Sequence, residues 1–338
     1  MIFEKLLMGQ NNVVINTIGN FGDILCARED GTKTIVSSVD KIPNGFTAIG
    51  IVVIPSSHNV YGDGKCCVMS LNFMSASTPD TGTTISYAES TSGTTIPNIS
   101  WGATSTELTK YAKVPNIVTY TSSGTVLDET LSNIKSANYG FFPSDYYTDF
   151  NNCLQSLDRT STYSYYGTSG AAPLIPSPYN ADGSRNQAYY YTGGSLTLNG
   201  FSDFSGFENT QSSINMTSDT SWKTSQTIIY GTNGGKVRTP AAACCWRYHT
   251  TGTNQGDWYC PSLGELGYIL CRVEALDYIK SDLDSSGKAL YCGGDLRNEA
   301  INMWSSTRWG TEGNWYATER FQIVDMIGDG NVVACIKI

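Results

Sequence analysis

The chain has 338 residues, 40% of them hydrophobic, with 30 acidic against 21 basic side chains and a formal net charge of −9. Such a length buries a sizeable core and suits two or three domains, whereas the acidic balance and scattered Lys and Arg remove the attraction to phosphate on which nucleic-acid and anionic-membrane binding rest. No apolar run approaches the roughly 18 residues that span a bilayer, so membrane insertion is not expected.

With 21 Tyr, 34 Gly and 15% charged residues, the composition favours an all-β or a β-rich α+β architecture with many turns. The opening residues Met1 to Met8 carry Glu4 early and only a few apolar side chains before Gly9-Gln10, which is not the pattern of a secretory signal. On that reading the ten cysteines are reduced, buried, small hydrophobes rather than a disulfide framework. Bridging the neighbours Cys66-Cys67 or Cys244-Cys245 would be strained.

Residues 13–75 alternate short apolar runs with turn signals. The runs cover 13–15, 23–25, 34–36, 48–54 and 67–69, and Gly22, Asp30-Gly31, Pro43-Asn44-Gly45 and Gly62-Asp63-Gly64 punctuate them, the pattern of a small β module over residues 1–75. Ser, Thr and Gly then dominate residues 76–108 and predict a linker or long polar loop. Residues 109–184 read as an irregular middle region with short helices over 127–136 and 144–157, Ser144 serving as N-cap of the second. In the C-terminal third, Thr239-Pro240 predicts a helix start, with Thr239 as N-cap and Pro240 at the first helical position. Ser262-Leu263-Gly264-Glu265 is a capping box, after which Leu266, Ile269, Leu270, Val273, Leu276, Ile279 and Leu283 recur at helical spacing and predict one helix to about Asp282. Strand-like segments follow at 289–292, 302–306, 314–318, 321–327 and 332–338, and in the last Val332, Ala334, Ile336 and Ile338 share one face.

The wording of this last third is specific. Gln255-Gly-Asp-Trp-Tyr-Cys-Pro-Ser-Leu-Gly-Glu-Leu266 resembles the dWyxPsxxEL signature of one branch of the C-type-lectin-like fold, and Met303-Trp-Ser-Ser-Thr307 resembles its yWSST signature. That branch includes the variable ligand-binding proteins of diversity-generating retroelements and related domains in Bacteroides and their phages. Gly200-Phe-Ser-Asp-Phe-Ser-Gly-Phe-Glu-Asn-Thr210 and Ala243-Cys-Cys-Trp-Arg-Tyr-His249 are similar to the phage-associated version. The resemblance implies an α+β, β-rich chain in which the small N-terminal β module is followed by a C-type-lectin-like domain over residues 185–338. In that family the strands and loops after the WSST motif form the binding face, which here implies Arg308, Trp309, Thr311, Glu312, Asn314, Tyr316, Glu319 and Gln322 as ligand-binding residues, with Arg320 and Asp325 in the same stretch. Trp258 and Trp304 are expected to pack in the core and specify the fold.

The N-terminal words Asn20-Phe-Gly-Asp-Ile-Leu25, Phe46-Thr-Ala-Ile-Gly-Ile-Val-Val-Ile-Pro55 and His58-Asn-Val-Tyr-Gly62 look like the leading module of structural proteins from tailed phages of Bacteroides, crAss-like phages included. This resemblance implies a virion-associated protein, made in the host cytoplasm, that contacts other virion proteins through residues 1–75. Its lectin-like domain would bind a host-surface glycan or protein. A homo-oligomer is expected, trimeric if it is a fibre, because weak contacts gain from avidity. Two alternatives stand beside it: a purely structural capsid or tail component whose lectin-like domain makes subunit contacts, and a bacterial surface adhesin, which would need an export signal.

Signs of catalysis are weak. Gly231-Thr-Asn-Gly-Gly-Lys236 has one residue too few between its glycines for a phosphate loop and Val237 where Ser or Thr should bind magnesium. Cys245 and His249, four apart on a helix, have no second pair at metal-ligand spacing. Only His58 and His249 are present, neither in a nucleophile motif. Formylglycine-generating enzymes use a related fold with reactive cysteines, which draws attention to Cys292 and Cys335, although burial is the simpler reading. The Glu-Pro-Asn, Gln-Pro-Asp and Trp-Asn-Asp triplets of calcium-dependent lectins are missing. The expectation is therefore a binding protein with no enzymatic activity, cofactor or metal.

Overall fold

The computed structural model describes residues 16–58, 60–61, 63–74, 204–215, 220, 223, 239–270, 272–289, 303–309, 313–317 and 332–338, together with short strand segments at 79–80, 83–84, 86–89, 164–165, 168–169, 191–192, 197–198 and 227–230. The architecture is mixed α+β. Its main strands are β1 (Ile24–Ala27), β2 (Lys33–Val36), β3 (Thr47–Ile54), β4 (Cys67–Met74), β5 (Met303–Trp309), β6 (Gly313–Ala317) and β7 (Val332–Lys337). The helices are α1 (Gly206–Ile214), α2 (Pro240–Arg247), α3 (Leu263–Leu270) and α4 (Val273–Ser286). Among the described residues no helix is long and apolar enough to cross a membrane.

Five strands form one antiparallel sheet in the order β7-β4-β3-β1-β2. The continuous apolar run Ala48 to Ile54 becomes the central strand β3 and is buried throughout, as expected where both faces of a strand are covered. Gly50 is required there: a Cβ would lie 2.7 Å from the Met69 carbonyl oxygen on the neighbouring strand. On one face of the sheet Leu25, Val68, Val332, Ala334 and Ile336 join Ala241 to Cys245 of α2, Trp258 and Trp304 in a single apolar cluster, with Ile338 packed against it. Both tryptophans are fully buried, the packing role expected of them. Trp258 stacks edge-on against Tyr248 and its Nε1 donates to Thr253 Oγ1 at 3.1 Å.

β7 pairs with β4, Cys335 opposite Met69 and Lys337 opposite Cys67. Its other edge is covered by Tyr259, which exchanges backbone hydrogen bonds with Cys335 at 2.8 and 2.9 Å. The described parts of residues 1–75 and of 185–338, which the sequence assigns to separate units, therefore contribute to one sheet and one core. The alternation in 332–338 gives only half of this: Val333 and Cys335 point away from the shared face and are buried as well.

Several elements differ from the sequence reading. The helix expected to run unbroken from the Ser262 cap is two helices, because the backbone leaves helical geometry at Arg272 (φ −133°). The Arg272 guanidinium lies 4.6 Å from the centre of the Phe21 ring, a cation–π contact that holds the break against the N-terminal segment. α4 continues to Ser286 and stops at Gly287, whose φ of 64° is the left-handed conformation glycine favours. Thr239 occupies the N-cap position before α2, but its hydroxyl makes no capping bond and is buried without a partner. Within the expected polar stretch, Pro79–Asp80 pairs antiparallel with Thr83–Thr84, and Ser86–Glu89 runs parallel to Thr227–Tyr230. The helices expected over 127–136 and 144–157 and the strand at 321–327 lie outside the described residues.

Truncating either tryptophan deletes buried aromatic volume from the shared cluster. Trp258→Ala and Trp304→Ala are each expected to cost about 3–5 kcal/mol, read from denaturant melts of the full chain.

Candidate functional site

The binding face implied by the sequence falls on and beyond the β5–β6 hairpin. Trp304 pairs with Tyr316, Arg308 with Asn314 and Trp309 with Gly313, with an irregularity between Trp304 and Arg308. Arg308, Trp309, Asn314 and Tyr316 are thus brought together on adjacent strands. Thr311, Glu312, Glu319, Arg320, Gln322 and Asp325 lie outside the described residues.

The base of this hairpin is built into the interior. Met303 to Thr307 are buried throughout, and each polar residue among them has a bonding task. The Ser306 amide donates to the Pro261 carbonyl at 2.8 Å, and Ser306 Oγ accepts from Asn209 Nδ2 of α1 at 3.4 Å. Thr307 Oγ1 accepts from the Leu263 amide at 2.7 Å, satisfying one of the orphan donors at the start of α3. Ser305 Oγ accepts from the Thr307 amide at 3.3 Å. Thr210 Oγ1 accepts from the Cys260 amide at 2.9 Å, which ties α1 to the Trp258 segment as well. The two tryptophan-bearing motifs are therefore joined by buried hydrogen bonds in addition to shared packing.

A second constellation is centred on Glu265. Of the capping box that the sequence predicts, the reach-back bond is present, with Glu265 Oε2 accepting from the Ser262 amide at 2.7 Å, and the Ser262 hydroxyl donates to the same oxygen at 3.0 Å. Unforeseen is what the other oxygen does: Oε1 accepts from Tyr61 at 2.8 Å and from Tyr259 at 2.9 Å, in an interior where Glu265 is fully buried. Gly206, the first residue of α1, abuts the carboxylate so closely that a Cβ would strike Oε2 and lie 2.7 Å from the Tyr259 ring. Tyr259 also lies 3.5 Å from Cys67 Sγ. Lys337 Nζ sits 4.3 Å from the centre of the Tyr61 ring and 5.7 Å from that of Tyr259, and pairs outward with Glu208 at 3.5 Å.

Burial pushes the Glu265 carboxyl up to about 7, against the opposing pull of Lys337 and of its hydrogen bonds from Ser262, Tyr61 and Tyr259. Burial likewise holds the Tyr61 and Tyr259 hydroxyls well above the ordinary tyrosine range. The Cys335 and Cys245 thiols are also raised well above theirs by burial, and Cys66 is pushed to about 11. Such thiols stay protonated near neutral pH and are poor nucleophiles. Cys245 Sγ points at the Val333 carbonyl and His249 Nδ1 at the Arg247 carbonyl, so this pair is not assembled as a metal site. Among the described residues no group of three His, Cys, Asp or Glu side chains is placed to hold a metal, and the seven described cysteines are buried and form no disulfide with one another. Cys292 lies outside the described residues.

No protein-family model matches the chain, and no curated protein and no solved structure matches it either.

Removing the Thr307 hydroxyl in Thr307→Val leaves the Leu263 amide unpaired at the start of α3, at an expected cost of about 1–2 kcal/mol. Tyr61→Phe withdraws one donor from Glu265 and is expected to cost about 1–3 kcal/mol. Urea melts of the full chain measure both.

Proposed function

We propose that this chain is a virion-associated adhesion protein of a tailed phage of Bacteroides, and that a C-type-lectin-like region within residues 185–338 binds a host-surface glycan or protein. The observation that carries the reading is the joining of the two signature motifs. Trp258 and Trp304 share one core cluster, and the Ser and Thr residues of the second motif lock the hairpin base to α1 and α3. A recognition surface profits from such a base, because side chains held by a rigid scaffold lose less freedom on binding. Arg308, Trp309, Asn314 and Tyr316, paired across the hairpin, would supply aromatic faces and polar groups for stacking on sugars or peptide. Residues 1–75 would contact other virion proteins, and oligomerisation, trimeric in a fibre, would convert weak single contacts into avidity.

A second reading, a structural capsid or tail component without a host ligand, draws support from the pairing of β7 with β4. That pairing builds the N-terminal strands into the same body as the C-terminal ones.

The test uses the full chain, since a C-terminal fragment would lack the strand beside β7. Binding to Bacteroides cells and to arrays of their surface glycans is expected to weaken at least tenfold in Trp309→Ala and Tyr316→Ala, about 1.4 kcal/mol, with melting temperatures unchanged. Binding that survives both substitutions overturns the proposed face. No binding to any host surface, with the protein located on particles by immunogold labelling, favours the structural reading.

A further inference from the structure

Three separated stretches of the chain converge on the Glu265 carboxyl, the third running from Tyr259 through Ser262 to Glu265 itself. Tyr61 follows β3, Gly206 opens α1, Tyr259 borders β7, and Ser262 caps the helix that carries Glu265 itself. A carboxylate accepts up to about four hydrogen bonds, and four donors are present: two hydroxyls on Oε1, an amide and a hydroxyl on Oε2. Among the described residues no cation joins them within the ring of donors. Lys337 lies across the faces of the two tyrosines and is drawn outward by Glu208.

The same atoms also satisfy a neutral acid. A protonated Glu265 must donate one hydrogen bond, and Tyr259 can receive it, because Cys67 Sγ at 3.5 Å is an alternative partner for the Tyr259 hydrogen. One proton then resides on the carboxyl, Tyr259 turns its O–H toward sulfur, and Tyr61 and Ser262 keep their bonds. Both charge states are thus accommodated, and they differ in whether a net negative charge sits in the interior.

We propose that Glu265 is a proton-operated clamp: protonated, it holds α3, α1, the Tyr61 segment and Tyr259 together as a neutral network, and loss of the proton places an anion in the core and loosens α3 from the sheet. The described groups facing it are Tyr61, Tyr259, the Cys67 and Cys335 thiols, and Lys337 with its partner Glu208. Burial keeps the two phenols and the Cys335 thiol protonated. His58 is the nearby competitor, reaching α3 through the Tyr268 hydroxyl at 3.0 Å.

The sign follows from linkage. An unfolded Glu265 titrates near 4.5 and the folded one near 7, so between these values the folded chain holds more protons than the unfolded one. Its contribution to stability is complete below the lower value, falls as pH rises through the window, and levels off above the upper one. Within the window the folding equilibrium constant attributable to this group falls up to about tenfold per pH unit.

Urea melts of the full chain across about pH 5 to 8 test the clamp. The native protein is expected to lose stability with rising pH, Glu265→Gln to lose that slope, and His58→Gln to keep it. Infrared spectra of the native protein give a readout that needs no variant: a carbonyl stretch of a buried protonated carboxylic acid is expected on the acid side of neutrality and should fade as pH rises through it, while the protection of the α3 amides, taken relative to their intrinsic base-catalysed exchange rate, falls. A slope that persists in Glu265→Gln, or native spectra without that band, overturns the proposal.

Discussion

The structure depends on one pairing, that of β7 with β4. Without it β4 would be an open edge, Trp258 and Trp304 would lose Val332, Ala334 and Ile336 from their cluster, and Tyr259 would have no strand to border. β7 is buried on both faces from Val332 to Ile336, so its apolar side chains supply two layers at once. One layer is the apolar cluster under α2. The other is the Tyr61–Tyr259–Glu265 network under α3, whose polar groups are tolerated because each is bonded to another.

Much of the fold was legible where one physical rule dominated. The apolar run 48–54 and the turn signals around it located β1 to β4, and the capping box located the start of α3 to the residue. Where two rules competed, the sequence was a poorer guide. The helical periodicity from Leu266 to Leu283 continues in phase across Arg272, and nothing local announces the break there, where the guanidinium lies against Phe21. Thr239 and Pro240 read as a helix start and are one, but the hydroxyl goes unused because its surroundings bury it. The sharing of one sheet by 24–74 and 332–337 leaves no trace in either segment alone, because pairing between distant strands is a property of edges and not of composition.

The candidate sites divide along the same line. Glu265 was visible as a helix-capping residue, since Ser262 is three positions away, yet its meeting with Tyr61 and Tyr259 depends on tertiary contacts that spacing cannot supply. The Trp304 motif was recognisable as a string of letters, and the structure gives that string a physical reading. The tryptophan fills the core, Ser306 and Thr307 bond to groups on the Asn209 and Leu263 sides, and Ser305 stiffens the strand between them. Hydroxyl side chains are well suited to such a position, since each accepts and donates within a small volume.

The pairing of β7 with β4 has a consequence for the way the chain is made. Ala334 and Ser70, which are hydrogen-bonded in the finished sheet, are separated by 264 residues. During synthesis β4 therefore emerges long before the strand that covers its edge, and for that interval the nascent chain presents unpaired amides and carbonyls beside an incomplete apolar surface. Loop closure over such a distance is slow, and an open edge in the meantime invites pairing with another chain. The order of translation thus leaves the early strands with an open edge until the late one arrives.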